Sequence, residues 1–546
     1  MSAKKRAAAK TAVARPPWQR RVLLLSAAVV ALVVVAVLAR NWLASPDIKM
    51  LVPEHGAQWI HQRRAFDLRA WGPTQEVVFF RKKVRVPAGV ESAVVTVRAM
   101  RTCMVYWDQK DRVLVAAKPN EWKEPHLVDL KKLTPGEHTL DVFVENSYGP
   151  AACLVYCDAL DLRSGPDWEQ NVYGEKWLPA ATVDDVEPPP LEKPVASPLR
   201  ALAKELWWLG PLFLAVFAVC LWSTRNRAGD GQPAKLWTAS RCRWIVIAAW
   251  LVLAANNFLK LPPDMGYDEP AHVDYIHFVA QRGELPDASD GWQMFQAPLF
   301  YIVAAVVYRG LILVTAAGTA VLWLRWLTLL CGVAQVELCY RAGRLVFPGR
   351  DDLQSLAVLF GGLLPMNLYM SQTLGNEPLC GVISAVILLW CWRLLRDPEA
   401  ATNRWRQWSL GVVFGLDLIT KMSAILFGPM LAVVLAVAER GRKLTTTASV
   451  FGRCFVAAAI VSGWYYIRNY LRFGKFLMGG WDPSRGLVWW QDPGYRTPWQ
   501  MVSFGKSLFQ PIHAGVYSLA DGFFASFWLD CNLGGLDTGT AIPWNM

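Results

Sequence analysis

One short stretch of the sequence, residues 266–277, concentrates side chains that could do acid–base chemistry. It contains the adjacent carboxylates Asp268 and Glu269. Two histidines and two tyrosines accompany them, among these His272 and Tyr275. A positioned carboxylate can take a proton from a hydroxyl or an amine, and its neighbour can orient the reacting group. The alternative is an acidic loop that serves only solubility, and the rest of the chain must decide between the two.

The composition indicates a membrane protein. The chain has 546 residues, of which 54% are hydrophobic, and its mean hydropathy is +0.23. Its apolar residues occur in runs close to the roughly 20 residues that cross a bilayer. The net charge of +12 does not indicate nucleic acid, because Lys and Arg cluster at the ends of the apolar runs. We therefore expect the lipid bilayer as a partner and no nucleic acid.

The N-terminal part begins with a basic tail at 1–21, followed by an apolar run at 22–39. The run is long for a signal peptide, and Pro46 makes a poor cleavage site, so we predict an uncleaved anchor with a cytoplasmic N-terminus. A Pro-rich tether at 184–205 leads to a second predicted transmembrane helix at 206–222. The intervening segment, 46–183, then lies outside the cytoplasm.

Residues 46–183 are predicted to form an all-β domain. Partly alternating runs at 77–86, 93–98 and 139–144, with Pro-Gly-type turns between them, are typical of an antiparallel sandwich. The segment resembles the galactose-binding-like jelly-roll modules attached to glycoside hydrolases. The motifs that carry this resemblance are Phe80-Arg81-Lys82, Trp122 to Pro125, Leu133 to Gly136, and Val144 to Asn146. It implies carbohydrate binding; a lid or a partner-docking module is the alternative.

Residues 244–466 are predicted to form a bundle of transmembrane helices. After a first span at 244–259, the acidic loop 260–297 is external, and 298–317 is predicted to lie at the external interface. Further spans are expected near 325–340, 353–370, 379–392, 408–420, 423–438 and 450–466. This orientation places every basic turn on the cytoplasmic side. The aromatic-rich segment 467–546 is then external, and we expect a multi-pass protein, located in a bacterial inner membrane.

Further motifs fall in order along this bundle. They are Gln296 to Tyr301, Ser371 to Glu377, Gly415 to Lys421, and Trp464 to Asn469. With the Asp268-Glu269 pair, they resemble the GT-C membrane glycosyltransferases, closest to the protein O-mannosyltransferase and lipid A aminoarabinose transferase branch. The fold implied is a GT-C-like multi-pass α-helical bundle. The predicted extracytoplasmic all-β jelly-roll domain that precedes it is not typical of this branch. The activity implied is transfer of a sugar from a polyprenyl-phosphate donor to a lipid, glycan or protein acceptor.

The resemblance also implies roles for individual residues. Asp268 is the expected base, and Glu269 orients the acceptor or shares the role. Lys421 and Arg468 are expected to bind the donor phosphate, although snorkelling to the interface would also explain them. An ion pair between Asp417 and Lys421 is a further alternative. The predicted substrate-binding residues are His272, Tyr275, Gln296, Tyr301, Asn376 and Glu377.

Two other functions stay open at this point. A transporter or flippase of a lipid-linked glycan would use charged residues inside the spans, such as Asp417 and Lys421, to line its path. A non-catalytic binding protein would depend on the β-domain alone. No metal site is predicted, although a divalent metal could assist the phosphate, and no other cofactor is expected.

Overall fold

The computed structural model describes residues 48–62, 75–108, 111–115, 121–146, 151–172, 176–185, 238–258, 268–397, 403–480, 482–486, 496–510 and 514–528. It also describes parts of helices within 29–46 and 200–218. The predicted basic tail 1–21, most of the anchor 22–39 and much of the tether and second helix lie outside the described residues. The described chain is a two-sheet β-sandwich followed by a helical domain. This confirms the coarse fold class predicted from the sequence.

The sandwich consists of two antiparallel sheets. Its strands are β1 (Ile60–His61), β2 (Glu76–Val86), β3 (Ser92–Met100), β4 (Thr102–Trp107), β5 (Asp111–Val115), β6 (His126–Lys131), β7 (Gly136–Asn146), β8 (Ala152–Cys157), β9 (Leu162–Arg163), β10 (Glu169–Val172), β11 (Leu178–Pro179) and β12 (Ala181–Thr182). One sheet has the order β12-β1-β8-β3-β6, with β9 beside β8. The other has the order β11-β10-β2-β7-β4-β5.

Alternation along the strands explains this packing. In β2, Val78, Phe80 and Val84 point into the core, and Phe79, Arg81 and Lys83 alternate with them on the other face. The strand pairs with β7 along its whole length, from Glu76 opposite Asn146 to Val86 opposite Gly136. The three runs that alternation singled out in the sequence are thus parts of β2, β3 and β7, as predicted.

The helical domain holds twelve described α-helices. They are α1 (Ala239–Asn257), α2 (Glu269–Arg282), α3 (Leu299–Leu311), α4 (Ala317–Val346), α5 (Asp351–Gly362), α6 (Pro365–Met370), α7 (Glu377–Arg396), α8 (Arg404–Leu418), α9 (Phe427–Ala438), α10 (Leu444–Phe473), α11 (Pro498–Val502) and α12 (Leu519–Phe527). Three of them, α4, α7 and α10, are long and apolar enough to cross a membrane. The span predicted at 353–370 is broken, because Pro365 cannot continue α5 and begins α6 instead.

The helices α8 and α10 pack closely against each other, and this contact fixes the position of the end of α8. Gly411 and Gly415 lie one turn apart on α8, where a Cβ atom would clash with α10. At Gly411 it would stand 2.1 Å from the Cys454 carbonyl oxygen, and at Gly415 2.7 Å from Val461 Cβ. Small residues at this spacing let two helix backbones approach closely. The end of α8 and the following Lys421 are therefore held against the middle of α10.

Candidate functional site

The site is built around the start of α2. Asp268 is the residue before this helix, and it adopts the left-handed conformation with φ 53°. That conformation is uncommon for a residue other than glycine, and it occurs preferentially at functional positions. The Asp268 carboxylate is exposed to solvent and accepts a hydrogen bond of 3.0 Å from the Gln293 side-chain amide. The residue is thus accessible to water, while its carboxylate is held by the Gln293 amide.

The surroundings of Asp268 make its carboxylate bind a proton more readily than that of an ordinary aspartate. The pKa of its carboxyl is raised by desolvation among the surrounding atoms, and the nearby Glu377 carboxylate raises it further. The ammonium of Lys421 offsets part of this increase. Because the residue is still accessible to water, screening limits the shift. These neighbours make Asp268 a better proton acceptor than an isolated aspartate.

Glu269 has a different environment from its neighbour Asp268. Its side chain is 0% exposed and forms an ion pair with Arg325 of α4, which is 3% exposed, at 3.2 Å. The guanidinium Nε and Nη2 each donate to one carboxylate oxygen. The pair joins the start of α2 to α4. That Glu269 orients an acceptor stays a prediction. The structure shows in addition that its carboxylate connects α2 to α4 through Arg325.

We predict that this ion pair supports the fold. Glu269→Gln should destabilise the protein by about 3–5 kcal/mol, because it removes the counter-charge of a buried guanidinium. The double variant Glu269→Met/Arg325→Met should lose much less, because no charge then stays buried. Thermal unfolding of the detergent-solubilised chain measures both variants. Equal losses in the single and the double variant would contradict an electrostatic role of the pair.

A stack of three aromatic side chains forms the wall of the site. The imidazole Nδ1 of His272 lies 2.7 Å from the Tyr301 hydroxyl, and the Tyr275 ring stacks on the Tyr301 ring at 3.8 Å between centroids. Burial lowers the pKa of His272 to about 4, so the imidazole is neutral at physiological pH. A neutral imidazole can bind a substrate by hydrogen bonding but adds no positive charge for a phosphate.

A chain of side-chain amides connects three of the sequence motifs. Gln296 donates to the Gln293 side-chain oxygen at 3.0 Å, and Asn376 donates to the Gln296 side-chain oxygen at 3.3 Å. Asn376 also donates to the Thr420 carbonyl oxygen at 2.8 Å. Its own side-chain oxygen is buried and accepts no hydrogen bond from any residue that the structure describes. The predicted residues Gln296 and Asn376 thus lie together, in a chain of contacts that ends at Asp268.

The charged centre of the site is the pair formed by Glu377 and Lys421. The Lys421 ammonium lies 2.6 Å from Glu377 Oε1, and the two side chains are 27% and 26% exposed. The other carboxylate oxygen, Oε2, has no hydrogen-bond partner within the described part of the chain. A Cβ atom on Gly375 would lie 2.5 Å from this Oε2 and 3.6 Å from His272 Nε2. The glycine therefore leaves open the space that the carboxylate and the imidazole share.

Two sequence-based expectations change with this geometry. Lys421 pairs with Glu377 and not with Asp417, which accepts a hydrogen bond of 2.7 Å from Ser384. Arg468 contacts the loop between α2 and α3: its Nη2 donates to the carbonyl oxygens of residues 285 and 286 and to Asp287. The structure therefore pairs Lys421 with Glu377 and Arg468 with the loop, and phosphate binding by either residue stays a prediction.

An apolar groove begins at Glu377, the acidic member of the charged pair. It has a volume of about 620 Å³ and lies between α4, α6 and α7. Its lining on α7 runs from Glu377 to Trp392, which corresponds to about 22 Å at the helical rise. The other side of the groove is lined by α4 from Gln335 to Val346. Both α4 and α7 are among the helices apolar enough to cross a membrane. The groove can therefore accept a long apolar chain.

Metal binding finds no support among the described residues. They contain no group of three or more His, Cys, Asp or Glu side chains arranged to hold a metal ion. Glu269 and Glu377 form ion pairs with Arg325 and Lys421, and Asp268 accepts a hydrogen bond from Gln293.

Two residues of the site, Gln293 and Arg325, belong to none of the motifs identified in the sequence. Gln293 contacts Asp268 from a loop whose conformation the sequence does not indicate. Arg325 was the predicted start of a span, where a lone arginine in apolar surroundings is a signal for a buried partner. This signal was sufficient to predict a buried acidic partner for Arg325, which the structure shows to be Glu269.

Comparisons with known proteins find little similarity to this chain. No family model matches it, and no curated protein matches it. Among solved structures, it is similar to the α-L-rhamnosidase of Streptomyces avermitilis complexed with L-rhamnose, with 21% identity and a TM-score of 0.19 over 24% of this chain and 15% of that chain. It is also similar to the native α-L-rhamnosidase of Aspergillus terreus, with 14% identity and a TM-score of 0.19 over 26% of this chain and 25% of that chain.

These findings correct the family resemblance drawn from the sequence. The structural similarity found is to fragments of α-L-rhamnosidases, so the assignment to the GT-C superfamily, with its O-mannosyltransferase and aminoarabinose transferase branch, is wrong. Its motifs are short runs at helix ends, which unrelated apolar helices can share. The galactose-binding-like assignment is likewise reduced to a two-sheet β-sandwich. The chain spans a quarter or less of either rhamnosidase, and at this TM-score the similarity carries no inference about activity.

Proposed function

We propose that the chain is a membrane glycosyltransferase that moves a sugar from a polyprenyl-phosphate donor to a lipid, glycan or protein acceptor outside the cytoplasm. The observation that carries this proposal is the position of Glu377 at the end of the apolar groove, with the Lys421 ammonium 2.6 Å from its carboxylate. A substrate with a phosphate next to a long hydrocarbon chain matches both features: the ammonium suits the phosphate, and the groove suits the chain.

The proposed reaction is a single displacement at the sugar. The Asp268 carboxylate takes the proton of an acceptor hydroxyl or amine, whose lone pair forms the new bond to the anomeric carbon. The bond from that carbon to the phosphate oxygen breaks, and the polyprenyl phosphate leaves with the electron pair. Lys421 stabilises the charge that develops on the phosphate. The sugar is transferred with inversion, and we expect Gln296 and Asn376, which hydrogen-bond to each other, to exchange these contacts for the hydroxyl groups of the sugar.

The proposed arrangement in the membrane follows from the charges. We assign the chain to a bacterial inner membrane, in several passes, with a cytoplasmic N-terminus and the Asp268 end of the bundle outside. In this orientation, Arg341, Arg344 and Arg396 lie on the cytoplasmic side. The donor is then a lipid-linked sugar, because nucleotide sugars are confined to the cytosol. The β-sandwich lies on the same external side as the site and is available to bind the acceptor.

A reconstituted assay tests this function. The purified chain in liposomes receives a radiolabelled polyprenyl-phosphate sugar together with a membrane extract as the source of acceptors. Label transferred to an acceptor supports the proposal. Movement of the donor across the bilayer with no modified acceptor would instead support a flippase, the alternative drawn from the sequence. If neither occurs, although the chain is folded and the donor binds, the proposed function is wrong.

We predict that filling the groove weakens the use of long-chain donors. Ala385 lines the groove, and Ala385→Trp would occupy part of its volume. The KM for a long polyprenyl donor should rise about tenfold, corresponding to about 1.4 kcal/mol of lost apolar contact, and kcat should change little. A donor with a short, water-soluble chain should be unaffected. The matched control is Val386→Trp, next along α7 and outside the groove lining; equal effects of both variants on both donors would contradict the prediction.

A further inference from the structure

Residues 284–297, which join α2 to α3 and are here called the site loop, bring Gln293 to Asp268. The loop has little regular structure of its own, so its conformation must be set by contacts with its surroundings. Two chain segments supply these contacts. One is α10, which holds the beginning and the end of the loop through Arg468 and Tyr465. The other is the segment that follows α10, which contains Arg485.

Arg485 contacts the middle of the site loop with most of its polar atoms. Its Nε donates to the Ala288 carbonyl oxygen at 2.9 Å, and its Nη2 donates to those of Gly291 at 2.8 Å and Trp292 at 2.7 Å. The guanidinium also stacks over the Phe295 ring, at 4.6 Å from the centroid. The residue is only 1% exposed. A planar, permanently charged group with donors in fixed directions is suited to holding several carbonyl groups at once.

These contacts lie immediately beside the residue that reaches the candidate base. Trp292, whose carbonyl oxygen binds Arg485, precedes Gln293 in the chain. Gln293 is 6% exposed, and its amide donates to Asp268 while its oxygen accepts from Gln296. A displacement of this backbone by 1 Å would break the hydrogen bond to Asp268, since such bonds weaken steeply beyond about 3.2 Å. The position of Gln293 therefore depends on the carbonyl groups that Arg485 holds.

We propose that Arg485 is a positioning residue of the candidate site, which fixes the site loop so that the Gln293 amide faces the Asp268 carboxylate. It does not touch the reacting groups itself. The role deepens the proposed transfer, because it determines how readily the candidate base holds a proton. The contacts that carry it are independent of the identity of the substrate, so it can be tested without measuring transfer.

The test measures the protonation of Asp268 directly. A water-soluble carbodiimide with an amine nucleophile labels protonated carboxyl groups, and peptide mass spectrometry of the full chain in detergent gives the labelling of Asp268 at each pH. Gln293→Leu should raise the pH of half-labelling by roughly 0.5 to 1 unit, because a hydrogen bond that stabilises the carboxylate is lost. Arg485→Met should raise it in the same direction. The charges of Glu377 and Lys421 are the same in all these variants.

The double variant Arg485→Met/Gln293→Leu decides whether the two residues act together. If Arg485 acts through Gln293, the double variant shifts the half-labelling pH no further than Gln293→Leu alone. Additive shifts would overturn the proposal, as would no shift in Arg485→Met. Arg163→Met is the matched control, since Arg163 also donates to backbone carbonyls, those of Cys157 and Leu162, but lies in the β-sandwich. It should leave the half-labelling pH unchanged.

A second measurement covers the case in which Arg485→Met does not fold. Arg485→Lys retains the charge but can hold fewer of the carbonyl groups. Hydrogen exchange of the site-loop amides should be faster in this variant than in the wild type, and the half-labelling pH of Asp268 should move part of the way towards the Gln293→Leu value. Unchanged exchange in the loop, together with an unchanged half-labelling pH, would overturn the proposal. A failure of the transfer assay alone would leave these two results standing and would count only against the proposed function.

Discussion

Asp268→Asn is expected to reduce the transfer rate by about 100-fold or more, while the chain stays folded. An amide of the same shape cannot take the proton of the acceptor, and general-base catalysis typically contributes 10²–10⁴-fold. The substitution keeps the size of the side chain and the solvent-exposed position at the start of α2. Steady-state transfer of a labelled sugar measures the effect, with donor binding measured separately. Unchanged transfer would contradict the role of Asp268 as the base.

The pH dependence of transfer gives a second check on the same residue. A base must be deprotonated to act, so the rate should fall as the pH decreases through the pKa of Asp268, which lies above its usual value. Glu377→Gln removes a charge that raises this pKa, so the acidic limb should move to lower pH. Lys421→Met removes a charge that lowers it, so the limb should move to higher pH. Shifts in the same direction would contradict the assignment of the limb to Asp268.

Local sequence patterns predicted much of the fold. Alternation in β2, β3 and β7 was sufficient because one face of each strand is buried in the sandwich core. The apolar runs that became α4, α7 and α10 were visible because a helix of that length needs a continuous run of apolar residues. The break between α5 and α6 was missed, although Pro365 stands at that point. An apolar run by itself does not separate one long helix from two short ones.

The sequence predicted only part of the candidate site, because local patterns do not show which distant residues a side chain contacts. Residues next to each other in the sequence share a motif but not an environment: Asp268 faces solvent, and Glu269 is buried against Arg325. Which of the two adjacent carboxylates is buried in an ion pair depends on Arg325 of α4, 56 residues further along the chain. Likewise, the sequence suggested Asp417 as the partner of Lys421 from their helical spacing, but α8 ends at Leu418 and the lysine turns towards Glu377. Long-range partners of this kind have no local signal.

Lys421→Met is expected to have the second-largest effect, with a combined loss of transfer and of stability. Transfer should fall by about 100-fold, because no other cation is paired with Glu377 in the described part of the chain to offset the charge of the leaving phosphate. Stability should also decrease, since the Glu377 carboxylate loses its counter-charge. Because both side chains are about a quarter exposed, water screens this loss, and we expect about 1 to 2 kcal/mol, less than for a fully buried pair. Lys421→Arg retains the charge and should keep most of the stability.

The double variant Lys421→Met/Glu377→Gln separates the two effects. It removes both charges, so the free energy of unfolding should return close to the wild-type value, because no unpaired carboxylate is left beside the groove. Transfer should stay low, because the donor phosphate still lacks its cation. Thermal unfolding and steady-state transfer of the same preparations measure both quantities. If transfer recovered together with stability, Lys421 would be a structural partner of Glu377 alone, and the phosphate would have to be bound elsewhere.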